Sequence, residues 1–211
     1  MELNVLIVVA TSLEAQRLPV LPNSRVVVSG IGAVNAALST QTALLEQKAD
    51  LVLSVGIAGA YLGSGLNLGD VIVSSELVYA GLGVQDGARV KALNFPIADG
   101  IFQTLPAWQH AQTYAKAAGL EYGAIATLET VTTDITRATG IEQQFGARAE
   151  AMEGAGIAQA ALHFAVPTLE IRAISNMVGD RENWQIKIAL EQLGHKLEQG
   201  WDELLGLLGR S

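Results

Sequence analysis

The chain contains no cysteine, which excludes disulfides, thiolate metal sites and a thiol nucleophile. It is also poor in positive charge. Thirteen Lys and Arg stand against 21 Asp and Glu, a formal net charge of -8, so nucleic-acid phosphates and anionic membranes would be repelled rather than recruited. No long apolar run is unbroken. Residues 3–10 follow Glu2 and are interrupted by Asn4, without the basic leader or the length of a secretory signal. The most apolar long stretch, 51–66, is broken by Ser54, Gly56, Gly59, Gly63, Ser64 and Gly65, and reads as a strand entering a flexible loop rather than a membrane span. These features predict a soluble, unprocessed, cytoplasmic protein. Linkers, charge blocks, low-complexity segments and solenoid-length repeats are missing too, which predicts one domain over 1–211.

Half of the 211 residues are hydrophobic and only 16% are charged, enough apolar content to offset the ordering entropy of a core. Short Val- and Ile-rich runs at 3–9, 25–28, 51–55, 71–78, 123–127 and 168–174 predict strands hidden on both faces of a helix-covered sheet. Between them, 34–47, 101–118, 135–145, 154–164 and 183–208 read as amphipathic helices. The fold class is therefore α/β. The stretch 79–100, with Gly81, Gly83, Gly87 and Pro96, is the least regular and is expected near the site or an interface.

Four segments carry polar chemistry. Ser29-Gly30-Ile31-Gly32 follows a strand and opens a helix. A dinucleotide fingerprint would want Gly or Ala where Asn35 stands, so nicotinamide binding is disfavoured; the glycines either permit tight packing or let backbone approach a small ligand. Ser54-Val55-Gly56-Ile57-Ala58-Gly59 follows another strand, and ligands of open α/β sheets sit beyond such strand ends. After the first strand come Thr11, Ser12 and Glu14. Ser12 reads as a helix N-cap and Glu14 as a first-turn acid, unless partners make Glu14 functional. Those partners are Glu153, at a junction of small residues, and the strand end Ser175-Asn176 with its Gly179-Asp180-Arg181 turn. A solvated cap and plain turn chemistry remain the alternatives there. His110, His163 and His195 are too scattered for a metal site, and no metal or cofactor is expected. Trp108 and Trp201 read as packing residues, Trp184 as a cover for a ligand.

Taken in order, these segments resemble the nucleoside phosphorylase and nucleosidase family over nearly the whole chain. The resemblance rests on 8–14, 29–32, 55–59, Ala151-Met152-Glu153-Gly154-Ala155 and Ile171-Arg172-Ala173-Ile174-Ser175-Asn176. It implies one α/β domain with a mixed, barrel-like central sheet, assembled as a homodimer or larger homo-oligomer in which a neighbour helps close the site. It implies a small-molecule purine nucleoside as partner. Segment 175–181 followed by Trp184 is most similar to those members that release hypoxanthine from a nucleoside bearing an aromatic carboxylate on its 5′ side.

The resemblance also implies roles. N-glycosidic hydrolysis passes through an oxocarbenium-like state, so water must be activated, ribose held and the leaving base stabilised. Glu14 matches the carboxylate that activates water, Glu153 the ribose anchor, and Met152 a residue packing on the sugar. Val131 matches the wall under the purine, whose edge nearby backbone reads. Gly30, Ile57, Ala58, Gly59, Thr132 and Ser175 belong to the matching ligand-contacting segments. Members acting on methylthioadenosine have aspartate where Asn176 stands; an amide donates to N7 or a 6-oxo oxygen, which argues for a 6-oxopurine. Asp180, acting through water, is the candidate proton donor. Hexameric phosphorylases carry an arginine where Ser54 stands and another near the first turn. Without them a phosphate dianion beside Glu14 would be poorly compensated, with Arg17 left as a cation that could counter this. The competing readings are a phosphorylase, a nucleosidase acting on methylthioadenosine and S-adenosylhomocysteine, and a nucleoside-binding module without turnover.

Overall fold

The computed structural model describes residues 3–91, 103–180 and 182–210. In chain order the elements are β1 (Val5–Val9), α1 (Ser12–Ala15), β2 (Ser24–Val28), α2 (Ala33–Glu46), β3 (Leu51–Ala60), β4 (Val71–Val78), β5 (Val84–Asp86), β6 (Arg89–Lys91), β7 (Thr104–Pro106), α3 (Ala111–Ala118), β8 (Glu121–Thr127), α4 (Ile135–Phe145), β9 (Ala147–Ala151), α5 (Gly154–His163), β10 (Thr168–Met177) and α6 (Ile186–Leu208).

The sheet closes on itself. β3 pairs with β10, β10 with β4, β4 with β8, β8 with β9, and β9 returns to β3, while β1 and β2 extend from β3. The pairs β1–β2, β1–β3, β3–β10, β4–β8 and β8–β9 are parallel; β4–β10, β3–β9 and β4–β7 are antiparallel. This is the mixed, barrel-like α/β architecture that the resemblance implies. A cluster drawing on all five ring strands fills the inside: Ala58 and Ala60, Ile72, Ile125, Ala149 and Ala151, and Ile174. Alanines on β3 and β9 let so small a ring close at interior packing density.

Outside the ring, α6 buries Ala189, Leu190, Leu193, Leu197, Trp201, Leu204 and Leu208, a three-and-four spacing that makes one apolar stripe. That stripe packs on residues of β1, β3 and β10. On the other side α2 and α5 lie so close that a side chain at Gly156 would collide with the Ala33 carbonyl. The parallel strands β1, β3 and β10 thus direct their carboxyl ends toward one crevice.

Several expectations change. The loop read at 54–60 is strand: β3 runs on to Ala60 because β10 and β9 pair with its glycines, whose missing side chains leave room for neighbours. Ser175 and Asn176 lie inside β10, beside a register shift between Ile174 and Asn176. The helix read at 101–118 is only α3; β7 takes Thr104–Pro106 to pair with β4, and 101–102 lie outside the described residues. The strand β9, with its sequence Ala-Arg-Ala-Glu-Ala, offers no β-branched residue and was not expected. Within 79–100, β5 and β6 form a hairpin whose Val90 N–H donates to Gln144 of α4, while 92–100 lie outside the described residues.

Candidate active site

A cavity of about 370 Å³ opens at the carboxyl ends of β1, β3 and β10. Of the residues expected at a site, Glu14, Ile57, Ala58, Gly59, Val131, Met152, Glu153, Ser175, Asn176 and Trp184 line it. Gly30, Thr132 and Asp180 are not among its lining residues. Gly30 turns the chain at φ 89° with Asn35 packed over it, and Thr132 is buried, its N–H donating to Glu150. Asp180 is a turn residue. Its Oδ1 accepts from the Glu182 and Asn183 N–H groups at 2.9 and 3.2 Å, and its Oδ2 from Asn183 Nδ2 at 2.9 Å. The Asn183 and Glu182 donors hold its carboxyl below the ordinary range, the opposite of what a proton donor needs. Its backbone carbonyl accepts from Trp184 Nε1 at 2.8 Å and so positions the indole on the cavity wall.

Glu14 is held by its own helix start. Thr11, not Ser12, is the N-cap: Thr11 Oγ1 accepts from the Glu14 N–H at 3.2 Å, and Glu14 Oε2 accepts from Thr11 N–H and Oγ1 at 2.8 and 2.9 Å. This reciprocal capping box fixes a carboxylate that is only 5% exposed. Its other oxygen accepts from the Ile57 N–H at 3.3 Å. Capping and cavity lining are therefore two uses of one side chain.

Beside it lies a buried ion network. Arg172 Nε donates to Glu170 Oε1 at 2.8 Å, and Nη2 reaches Ser54 Oγ at 2.9 Å and Glu153 Oε2 at 3.2 Å. Glu153 Oε1 also accepts from the Gly32 N–H at 3.1 Å, tying the first glycine turn to the cavity. Burial alone would lower the Arg172 pKa, but Glu170, Glu153 and Glu14 together raise it. Burial pushes the Glu170 carboxyl up, with Arg172 opposing. Arg172 and Glu14 both pass over Gly56, where any side chain would collide with Glu14 Oε1 and Arg172 Nη1. Gly56→Ala should therefore cost about 1–3 kcal/mol, as overpacking does. An unchanged denaturant midpoint would show that both side chains give way freely.

At the other end of the cavity stands Asn176. Ser175 Oγ lies 2.9 Å from Asn176 Oδ1, and Asn176 Nδ2 donates to the Met177 carbonyl at 3.1 Å. With its oxygen satisfied, the amide keeps one N–H for the cavity. Glu150, also lining the cavity, accepts from Tyr61 OH at 2.9 Å and from the Thr132 N–H at 3.0 Å. Burial raises its carboxyl above the ordinary range, against those two donors.

The sequence reading missed the roles of Arg172, Glu170, Glu150 and Tyr61. A signal was present in Glu170 and Arg172, two charges inside an otherwise apolar strand, since buried charges are paired. Chemically, the arrangement offers a fixed carboxylate able to take a proton from water, a second carboxylate oriented by a guanidinium, and an amide donor. Among the described residues no group of three or more His, Asp or Glu is placed to hold a metal ion, and no helix is long and apolar enough to cross a membrane.

The model of the phosphorylase superfamily matches residues 23–199. The chain is 37% identical over 176 residues to the futalosine hydrolase of Streptomyces coelicolor, covering 78% of this chain and 73% of that protein. It is 35% identical over 167 residues to a 5′-methylthioadenosine/S-adenosylhomocysteine nucleosidase of Geobacillus, covering 74% and 68%. A Helicobacter pylori MTAN mutant solved with 5′-methylthioadenosine in its active site shares the fold, with a TM-score of 0.80 at 23% identity, over 96% of this chain and 100% of that one.

Proposed function

This chain belongs to the phosphorylase superfamily, and from that premise we propose that it is a futalosine hydrolase, releasing hypoxanthine on a route to menaquinone. It hydrolyses the N-glycosidic bond of a purine nucleoside, the reaction named for the relatives reported above. The observation that carries the reading is that two buried carboxylates and a buried amide line one cavity. Glu14 and Glu153 converge on Arg172, whose charge neighbours both, while Asn176 brings an amide from the end of β10 to the same cavity, a set that suits ribose against the carboxylates and purine against the amide.

In this mechanism Glu14 takes a proton from water as the oxygen adds to the anomeric carbon. The bond to N9 breaks, its electron pair goes to the base, the base takes a proton from solvent water, and Glu14 returns the proton it took to solvent. Negative charge on Glu14 and Glu153 stabilises the positive charge that develops on the sugar. Glu153, with both oxygens anchored by Gly32 and Arg172, accepts from the ribose hydroxyls. Asn176 donates to N7 or O6 of the departing base, and Val131, Met152 and Trp184 enclose the ligand.

Water rather than phosphate is the nucleophile. Among the described residues Arg172 is the cation lining the cavity, and it is committed to Glu170, Glu153 and Ser54. Arg17 is exposed and does not line the cavity. A dianion beside Glu14 would meet net negative charge. Incubation with futalosine in phosphate buffer should yield hypoxanthine and the free sugar, read by mass spectrometry; a sugar 1-phosphate would make the protein a phosphorylase. The 35% identity to the Geobacillus nucleosidase supports a second reading, which the same assay tests: methylthioadenosine cleaved faster than futalosine would favour it.

The proposal includes a cytoplasmic homo-oligomer. Val34, Leu38 and Leu45 form one stripe along α2 and are 66%, 59% and 71% exposed, an apolar face that suits burial against a second copy. Ile31 is 56% exposed and yet lines the cavity, so a copy seated there would also close its mouth.

A further inference from the structure

We propose that Glu150 sets the base preference of this site, its carboxylate accepting the N1–H of a 6-oxopurine; the assignment rests on the nucleosidase reading above. Glu150 lies directly opposite Gly59 across the β3–β9 pair, and Asn176 opposite Gly59 across the β3–β10 pair. The Asn176 amide and Val178 occupy the place a side chain at Gly59 would take, so glycine there lets the amide sit close against β3. Two strand spacings, about 9.6 Å, separate the Glu150 and Asn176 backbones, and both line the same cavity.

The polarity follows from what already holds Glu150. Its Oε1 accepts from the Thr132 N–H and its Oε2 from the Tyr61 hydroxyl. Both partners donate and so oppose the burial that raises this carboxyl, supporting the ionised, acceptor-only form, and each oxygen keeps a further lone pair. The Thr132 N–H, the backbone donor next to the Val131 wall, is thereby engaged. An adenine presents an N1 acceptor at that edge, which would face a carboxylate with no donor between them. Hypoxanthine presents an N1–H and a 6-oxo oxygen, which pair with an acceptor and a donor in turn. Glu150 supplies the first and Asn176 the second. Tyr61, fully buried beneath Glu150, is a positioning residue that holds the carboxylate toward the cavity.

The test compares futalosine, its 6-amino counterpart and its N1-methyl derivative with the parent protein and with Glu150→Gln. The glutamine keeps the shape and can turn an N–H toward the base. The parent should favour the 6-oxo substrate, and the variant should narrow the 6-oxo to 6-amino ratio of kcat/KM by about 10- to 100-fold, as when a site built for one polarity meets the other. A ratio within twofold of the parent's, in a variant with a parent-like melting curve, overturns the assignment. If the variant does not fold, the N1-methyl derivative decides with the unaltered protein: cleavage as fast as futalosine means that nothing reads N1–H. Failure of the parent to release base from any of the three would instead bring down the nucleosidase reading, and this assignment with it.

Discussion

Glu14→Gln should abolish base release while nucleoside still binds, with kcat falling by about 100- to 10,000-fold, the usual contribution of a general base. The substitution keeps the length of the side chain and removes its ability to take a proton. It also disturbs the capping box, because an amide cannot accept from Thr11 N–H and Oγ1 on one oxygen and from the Ile57 N–H on the other. Thr11→Ala separates the two effects. It removes the cap's hydroxyl at a cost of about 1 kcal/mol and leaves the carboxylate in the cavity, so its turnover should stay far above that of Glu14→Gln. Single-turnover release of hypoxanthine gives the chemical step, and calorimetry with substrate gives the binding. Turnover of Glu14→Gln within tenfold of the parent would remove Glu14 from the role of base.

Much of the fold was legible because apolar runs and helical spacing are local signals. Residues 71–78 and 135–145 were read with the boundaries observed. What failed was long-range. The glycines at 56 and 59 look like loop residues in any local window, yet they are strand residues whose side chains are missing because Glu14, Arg172 and Asn176 need the space. The strand β9 was invisible for a related reason: Ala149 and Ala151 are small because the ring closes there, and small residues carry no strand preference of their own.

The site divides in the same way. Glu14, Glu153 and Asn176 lie at strand-to-helix junctions or strand ends, where a polar residue stands out from its surroundings, and all three line the cavity. Asp180 stands out equally but serves its own turn, since sequence does not reveal which way a carboxylate faces. Glu150 depends on Tyr61, 89 residues away. The guanidinium of Arg172 joins groups from four parts of the chain: it bonds Ser54, Glu153 and Glu170 and feels the charge of Glu14. No spacing rule anticipates such a convergence.

That convergence sets the second large effect. Arg172→Met should destabilise the protein by about 3–5 kcal/mol near neutral pH, because removing one partner of a buried ion network leaves the others uncompensated. The loss should depend on pH, with a sign that Glu170 determines. Its carboxyl is already raised above the ordinary value of 4.5 by complete burial, with Arg172 as the leading opposing influence. Without the guanidinium it rises further. A carboxyl raised in the folded state gives stability that is fully present below its unfolded pKa and lost as pH rises through the folded one. The deficit of Arg172→Met should therefore be smallest at acid pH, where Glu170 enters the fold protonated, and should widen toward neutrality. Arg172→Lys keeps a charge but not the fork that reaches Glu170, Ser54 and Glu153 together, so it should fall between parent and methionine variant. Denaturant midpoints of all three across that range are the check. A methionine deficit that does not change with pH would mean that the carboxyls around position 172 do not ionise against one another.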